Sequence, residues 1–141
     1  MKYVIIYWSR YGNGKKIVDY LAGKLKDKSK DIKIFKTDET DPTAMQKADI
    51  YVFSAPTEAF NIQKNMRDFM KKLEGMEKMK YGIINTHSMK KNWLYKMEKI
   101  LSKKDMEKVA EVDFRVGKNA QTGNGLMHGW ESKIDEFTKK L

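Results

Sequence analysis

Short apolar runs alternate with longer amphipathic segments along most of this 141-residue chain. The first run, Lys2–Trp8, is nearly continuous in apolar residues, which is typical of a strand buried on both faces of a sheet. The next segment, Lys15–Lys28, places its apolar residues at the spacing of one helix face. Strands that alternate with helices in this way favour a parallel sheet, because a crossover helix brings the next strand into the same direction.

The alternation continues to the end of the chain and predicts five strands with about five helices. Further strands are predicted over 31–35, 49–54, 80–86 and 108–116, with the first of these as a polar edge strand. Further helices are predicted over 43–47, around 62–73, around 94–101 and over 130–141. We therefore predict an α/β fold, a doubly wound parallel sheet with helices on both faces, in a single domain over 1–141. The glycine-rich stretch 117–125 is expected to be a mobile loop.

Composition excludes several classes of site. Cysteine is absent, which rules out disulfides, thiolate nucleophiles, zinc–cysteine sites and iron–sulfur clusters. The two histidines, His87 and His128, share no ligand spacing with carboxylates, so no metal site is predicted. No apolar run approaches the ~20 residues that span a bilayer, and the N-terminus lacks a signal-peptide pattern, so we expect a cytoplasmic protein.

The chain is strongly basic, with 29 Lys and Arg against 19 Asp and Glu and a formal net charge of +10. A nucleic-acid partner would fit the charge, but only Arg10, Arg67 and Arg115 are arginines, and base readout prefers arginine. The lysines are also scattered along the chain. We therefore expect a solvated lysine surface, with a partner of acidic surface as the open alternative.

The first predicted strand is followed by Ser9–Gly14, "SRYGNG", at the start of a predicted helix. Unpaired backbone N–H groups and the positive end of the helix dipole meet at such a point, and Gly12 and Gly14 allow the backbone to approach a ligand. The segment fits neither the Walker pattern nor the dinucleotide fingerprint. It predicts either a phosphate site or a plain strand-to-helix turn. Ligands of parallel sheets do bind beyond the carboxyl ends of the strands.

Four segments together resemble the flavodoxin family over essentially the whole chain. "YWSRYGNGKKI" is similar to that family's phosphate loop, [ST]-x-T-G-N-T, and "SAPTEAFN" to its second flavin loop, G-x-P-T-[YW]. "INTHSMKKNW" occupies the place of the third flavin loop, and "GWESKIDEFTKKL" resembles the last helix. The resemblance implies strand order 2-1-3-4-5, non-covalently bound FMN and low-potential electron transfer.

The resemblance assigns FMN binding to three segments, one after each of three strands. They are Ser9, Arg10, Tyr11, Gly12, Asn13 and Gly14; then Pro56, Thr57, Glu58, Ala59 and Phe60; then Asn85, Thr86, His87, Ser88 and Met89. The threonines of the family pattern fall here at Tyr11 and Gly14, so two hydroxyl groups are missing. Backbone N–H groups do not depend on side chains, so phosphate binding is retained in principle.

The aromatic residues and the third segment carry further expectations. Phe60 is predicted to stack on the flavin, while Trp8 and Trp130 are expected in the core. His87 is either a flavin contact or proton donor, or a loop hydrogen-bonder. The resemblance places Lys90 and Lys91 where the family commonly carries acidic residues.

The sequence therefore predicts an FMN-binding electron-transfer protein of flavodoxin type that shuttles electrons between redox partners. The partners are expected to present acidic docking surfaces, and the chain to be a monomer without membrane contact. Two alternatives stay open at this stage. One is a flavodoxin-fold docking module with weak or lost FMN binding, and the other is a small flavoenzyme that reduces quinones directly.

Overall fold

The computed structural model describes residues 1–28 and 31–141, in which strands and helices alternate. In chain order the elements are β1 (Lys2–Tyr7), α1 (Asn13–Lys26), β2 (Asp31–Lys36), β3 (Ile50–Glu58), β4 (Asn61–Ile62), α2 (Lys64–Lys71), β5 (Lys80–His87), α3 (Leu94–Ser102), β6 (Glu107–Arg115) and α4 (Trp130–Thr138). A short 3₁₀ turn, Ala120–Thr122, lies between β6 and α4.

The long strands form one parallel sheet in the order β2-β1-β3-β5-β6, and β4 pairs antiparallel with the end of β3. Counted without the two-residue β4, this is the expected order 2-1-3-4-5, so the predicted fold is confirmed. β2 is the polar edge strand that its sequence indicates, because most of its residues are exposed. The carboxyl ends of β1, β3 and β5 are neighbours at the centre of one sheet edge.

Alternate residues of the central strands belong to two separate apolar layers. Val4 and Ile6 of β1 pack with α2 and α3 on one face of the sheet. Tyr3 and Ile5 of the same strand pack with α1 and α4 on the other face. Because both faces are covered, the central strands need apolar residues at every position, which explains their continuous apolar runs.

The predicted helix over 43–47 is wrong, because the segment is a turn followed by irregular chain. The Asp41 carboxylate accepts hydrogen bonds from both the backbone N–H and the hydroxyl of Thr43. Tyr51 then donates its hydroxyl to the Gln46 carbonyl and accepts from the Ala48 N–H. These bonds occupy backbone groups that a helix would need.

The helix predicted around 62–73 is shorter at both ends than its apolar spacing suggested. Ile62 belongs to β4, and the Gln63 side chain accepts a hydrogen bond from the Met66 N–H, which caps α2. A two-residue strand is too short to leave an alternating pattern in the sequence, so β4 was not predicted.

Candidate functional site

A cavity of about 380 Å³ opens at the carboxyl ends of β1, β3 and β5. Each of the three segments assigned to FMN binding contributes to its wall. The lining residues are Trp8, Ser9, Arg10, Tyr11, Asn13, Gly14, Pro56, Thr57, Glu58, Ala59, Thr86, His87, Ser88, Val116, Ala120 and Gln121. The volume lies within the range of ordinary small-molecule sites.

The first segment, Ser9–Gly14, carries the chain from β1 into α1. The Gly12 N–H donates to the Ser9 hydroxyl oxygen over 3.1 Å, which closes a tight turn. Gly12 has φ +100, a left-handed conformation that side chains rarely adopt, and a Cβ built there would meet no atom within 4 Å. In the described part of the chain no side chain caps α1, and its first turn holds no acidic residue. No acidic side chain of this first turn therefore occupies the positive end of the 14-residue helix, which is accessible to an anionic ligand.

Asn13 fastens the first segment to the 117–125 loop. Its buried side-chain amide donates to the Ala120 carbonyl over 2.8 Å, and its Oδ1 accepts from the Gly125 N–H over 2.9 Å. At Gly123 a Cβ would lie 2.5 Å from the Tyr11 carbonyl oxygen, so only glycine allows this close approach. The loop that was expected to be mobile thus has fixed hydrogen-bond partners.

The second segment, Pro56–Phe60, ends in the two-residue turn that joins β3 to β4. Its central residues, Ala59 and Phe60, have φ +50 and +60. Turns with two left-handed residues suit a hairpin, but they normally use glycine or asparagine, so alanine and phenylalanine carry backbone strain here. The described structure leaves Phe60 outside the cavity wall and 68% exposed.

An ion pair joins the first and second segments across the cavity. Arg10 donates from Nε and Nη2 to the two carboxylate oxygens of Glu58, over 2.7 and 2.8 Å. The Glu58 carboxylate raises the pKa of Arg10. The guanidinium carbon also lies 4.7 Å from the centre of the Trp8 ring. Trp8 is only half-buried and lines the cavity, so the expectation that it packs in the core is wrong.

The third segment, Asn85–Met89, is fixed by two buried polar side chains. Asn85 is fully buried; its side-chain amide donates to the Ala55 carbonyl, and its Oδ1 accepts from the Trp93 N–H. These bonds tie β3 to the start of α3. A side chain with this many structural partners is typical of a support for the site rather than of a ligand contact.

His87 connects the third segment to β6. Its ring is buried, Nδ1 donates to the Met89 carbonyl oxygen over 2.6 Å, and Nε2 lies 2.6 Å from Oδ2 of Asp113. Of the two roles left open for His87, the structure shows the loop hydrogen bond directly. The residue also lines the cavity, so contact with a ligand is compatible with that bond.

Four of the residues assigned to FMN binding fall outside the lining in the described structure: Gly12, Phe60, Asn85 and Met89. Four lining residues were not predicted: Trp8, Val116, Ala120 and Gln121. Val116 follows the end of β6, so the rule that ligands lie beyond the carboxyl ends of strands could have found this region. Lys90 and Lys91 also lie outside the lining, and the Lys91 ammonium is 5.1 Å from the ring centres of both Trp93 and Tyr95.

The parallel sheet with a cavity at its central strand ends defines a doubly wound α/β protein with a candidate ligand site at the carboxyl edge. The model of the flavodoxin domain family matches residues 4–134, so the chain belongs to the flavodoxin family. At the level of the family this supports an electron-transfer protein that uses a flavin, typically FMN.

Solved structures share the fold at low sequence identity. The flavodoxin of Streptococcus pneumoniae TIGR4 superposes with a TM-score of 0.77 at 18% identity, over 100% of this chain and 97% of that one. The two-electron reduced flavodoxin of Megasphaera elsdenii superposes with a TM-score of 0.79 at 13% identity, over 98% of this chain and 96% of that one. Rubredoxin oxygen:oxidoreductase of Desulfovibrio gigas superposes with a TM-score of 0.82 at 14% identity. The match covers 99% of this chain but only 34% of that protein.

A search of curated proteins found no match to the sequence. None of the helices in the described residues is both long enough and apolar enough to cross a membrane.

Proposed function

We propose that this chain binds FMN non-covalently in the cavity and carries electrons between redox partners that present acidic surfaces. The observation that carries the proposal is the cavity itself, because it joins an uncapped helix N-terminus to two further strand-end segments. A bound flavin supplies the redox chemistry by taking up and releasing electrons. The chain's own residues bind it, orient it and limit its contact with water.

The phosphate of FMN fits the first segment. Backbone N–H groups of the first turn of α1 have no acceptor within the helix, and the left-handed Gly12 leaves open space beside them. Lys15 and Lys16 follow directly in the same turn, where a cation opposes the helix dipole. An anion bound at this point would offset both unfavourable features.

The flavin ring fits the part of the cavity between the second and third segments. The Trp8 ring and the apolar surfaces of Pro56 and Ala59 line it, together with the polar groups of Thr57 and His87. Backbone carbonyls of the strained 58–61 turn would accept a hydrogen bond from a protonated ring nitrogen of a bound, reduced flavin. In this assignment the backbone of the turn, rather than an acidic side chain, forms the hydrogen bond that depends on the redox state of the flavin.

The visible absorption spectrum tests this proposal. The purified protein, or the apoprotein mixed with FMN, should show flavin bands, and the fluorescence of the added flavin should be quenched. Titration with riboflavin in parallel measures how much of the affinity comes from the phosphate. The absence of FMN binding at micromolar concentrations would contradict the electron-carrier proposal.

One observation favours a second candidate, a flavodoxin-fold docking module that no longer holds FMN tightly. The side-chain polar groups nearest the helix N-terminus already have partners, because Asn13 bonds the 117–125 loop and Ser9 accepts from Gly12. Tyr11 and Gly14 stand where the family pattern has threonines, so the two threonine hydroxyl groups are missing. Such a module would show the fold and a partner but no flavin spectrum, so the same titration separates the two candidates.

A further inference from the structure

A cleft of about 190 Å³ between α2 and α3 is lined mainly by cations, together with Asn61 and Ile100. Arg67 and Lys71 face it from α2, and Lys96, Lys99 and Lys103 face it from α3 and its end. No acidic side chain lines it in the described structure. The cleft is separate from the cavity assigned to FMN, and the two share no lining residue.

The acidic residues on these two helices are engaged elsewhere. Asp68 of α2 pairs with Lys64, and Glu98 of α3 pairs with Lys108 of β6. Within residues 1–28 and 31–141, none of the five cleft cations forms an ion pair. The nearby charge of Arg67 contributes to the lowered pKa of Asp68, after the larger effect of Lys64. The cleft therefore keeps an uncompensated positive charge.

The helix dipole explains only part of this cluster. Lys71, Lys99 and Lys103 lie at the C-terminal ends of their helices, where cations are stabilised. Arg67 and Lys96 lie in the first turns, where a cation is unfavourable. These two residues are also half-buried, which adds a cost that exposed lysines avoid.

Arg67 connects the cleft to β4, the short strand that follows the 58–61 turn. Its Nε donates to the Ile62 carbonyl of β4 over 2.8 Å, which leaves the terminal guanidinium groups without an acceptor among the described residues. β4 follows the strained turn that carries Phe60, the most exposed of the large apolar side chains described. The basic cleft and this apolar side chain thus flank the same turn.

We propose that the cleft docks an acidic segment of the redox partner, with Phe60 as the adjacent apolar contact. This inference rests on the proposed electron-carrier function for the partner's role. Docking here would place the partner beside the 58–61 turn, which is part of the wall of the flavin cavity. Clustered lysines give fast, salt-sensitive association of moderate affinity, which suits a carrier that must leave its partner after each transfer.

The spacing of the cations favours a segment of chain over a single phosphate group. Arg67 and Lys71 are four residues apart, about 6 Å along the helix axis, and Lys99 and Lys103 have the same spacing. Alternate side chains of an extended segment lie ~6.6 Å apart, so glutamates at every second residue match these rows.

Nuclear magnetic resonance titration of the full chain with a synthetic peptide tests the inference. The probe is an acetylated peptide of alternating glutamate and glycine, and its control replaces glutamate by glutamine. We expect the acidic peptide alone to shift the backbone amide resonances of Asn61, Arg67, Lys71, Lys96 and Lys99. Shifts spread evenly over lysines of the whole surface would overturn the proposal.

Charge reversal provides the matched comparison. The triple change Lys96→Glu, Lys99→Glu, Lys103→Glu should weaken peptide binding by about tenfold or more, equivalent to about 1.4 kcal/mol. The control Lys33→Glu, Lys47→Glu, Lys140→Glu makes the same change of charge outside the cleft and should have a much smaller effect. If the triple variant loses its dispersed spectrum, Lys99→Gln, Lys103→Gln replaces it. Equal losses in the cleft and control variants contradict the proposal.

Two further results would distinguish the docking proposal from its alternatives. Inorganic tripolyphosphate binding the cleft more tightly than the peptide would overturn the proposal in favour of a phosphate ligand. Because the titration does not need flavin, it also separates the two proposals. FMN binding without peptide binding would contradict the docking proposal. Peptide binding without FMN binding would contradict the electron-carrier proposal and would support a docking module.

Discussion

The two ends of the cavity are held by different means. At the end proposed for the phosphate, Asn13 bonds two backbone groups of the 117–125 loop, and Gly123 packs against Tyr11. At the end proposed for the flavin ring, the 58–61 turn holds Ala59 and the exposed Phe60 at positive φ. One end is fixed by satisfied hydrogen bonds, and the other stores strain. The difference fits a site that holds its anion rigidly while the backbone beside the ring can respond to a ligand.

Gly12→Val should have the largest effect on FMN affinity. The effect should be confined to the end of the cavity proposed for the phosphate. A β-branched side chain at φ +100 adds backbone strain of about 1–3 kcal/mol and crowds the phosphate position. We expect FMN affinity to fall by about 100-fold, and riboflavin affinity by much less, in fluorescence titrations. Gly75→Val, at φ +70 and outside the cavity lining, is the matched control that should lower stability without changing either affinity.

Asn13→Ala tests whether the 117–125 loop is what fixes this end. The change leaves the Ala120 carbonyl and the buried Gly125 N–H without their partner, so unfolding free energy should fall by about 2 kcal/mol in denaturant titrations. Asn124→Ala removes only exposed bonds, one from Lys16 and two long ones to Thr122, and should cost less than about 0.5 kcal/mol. Similar losses for both variants would show that the loop is not anchored through Asn13.

Gly14→Thr should strengthen the phosphate end by restoring a hydroxyl of the family pattern. A Cβ at this position would lie 3.5 Å from the Ser9 side chain, an ordinary contact, so the change fits. One added hydrogen bond of about 0.5–1.5 kcal/mol should tighten FMN binding by up to about tenfold and leave riboflavin unchanged. Gly23→Thr, on the same helix with open space around it, controls for the effect on α1. An unchanged FMN affinity would mean that the phosphate does not approach Gly14.

Lys90→Glu, Lys91→Glu probes the electrostatics of the ring end. These lysines should place the lower of the flavin's two one-electron potentials tens of millivolts above that of an acidic flavodoxin. A charge ~8 Å from the ring contributes roughly 2 kcal/mol at a dielectric constant of ~20, and exposure and salt reduce this to about 1 kcal/mol or less. One unit of charge therefore corresponds to about 40 mV or less, and the double reversal, a change of four units, should lower that potential by at least tens of millivolts in spectroelectrochemical titrations.

Added salt should shrink this difference, and Lys33→Glu, Lys47→Glu should produce a smaller shift. A potential that responds to neither charge reversal nor salt would show that Lys90 and Lys91 are ordinary surface charges away from the ring. The contacts of Lys91 with Trp93 and Tyr95 already direct one of the two charges toward those rings.

Ala59→Gly should give the smallest effect and the opposite sign from most glycine substitutions. Relief of left-handed strain, about 1–2 kcal/mol, exceeds the entropic cost of glycine, about 0.5–1 kcal/mol. The unfolding free energy should rise by about 0.5 kcal/mol. Ala44→Gly, an exposed turn position without positive φ, should instead lower it. A destabilised Ala59→Gly variant would show that the turn is not strained in solution.

The sheet and its helices could be predicted because their signals are local. Val4, Ile6 and their neighbours are apolar at every position, and that pattern specifies a strand covered on both faces. The predicted helix over 43–47 failed because the Tyr51 hydroxyl, which lies outside the segment, bonds its backbone. Local propensity carries no information about such a partner.

The site was less predictable, because its parts meet only in the folded chain. Asn13 lies more than a hundred residues from Ala120 and Gly125, so neither its structural bonds nor the fixed 117–125 loop could be read from the sequence. Trp8 extends a buried run, yet it lies one residue beyond β1, where the strand ends and the cavity begins. Phe60 follows a loop motif that suggests a ring contact, but the left-handed turn leaves it exposed.

The strand order also bears on how fast this protein becomes functional after synthesis. β3 lies between β1 and β5, so the cavity cannot form until three strands separated by long crossovers have come together. Such non-local pairing is slow, because chain entropy is lost before the contacts that compensate for it are made. Partly folded chains that pair only β1 with β2 would have the first segment without the second and third. The proposed flavin binding would therefore belong to the last stage of folding, and free FMN would stabilise the finished sheet by mass action rather than guide its assembly.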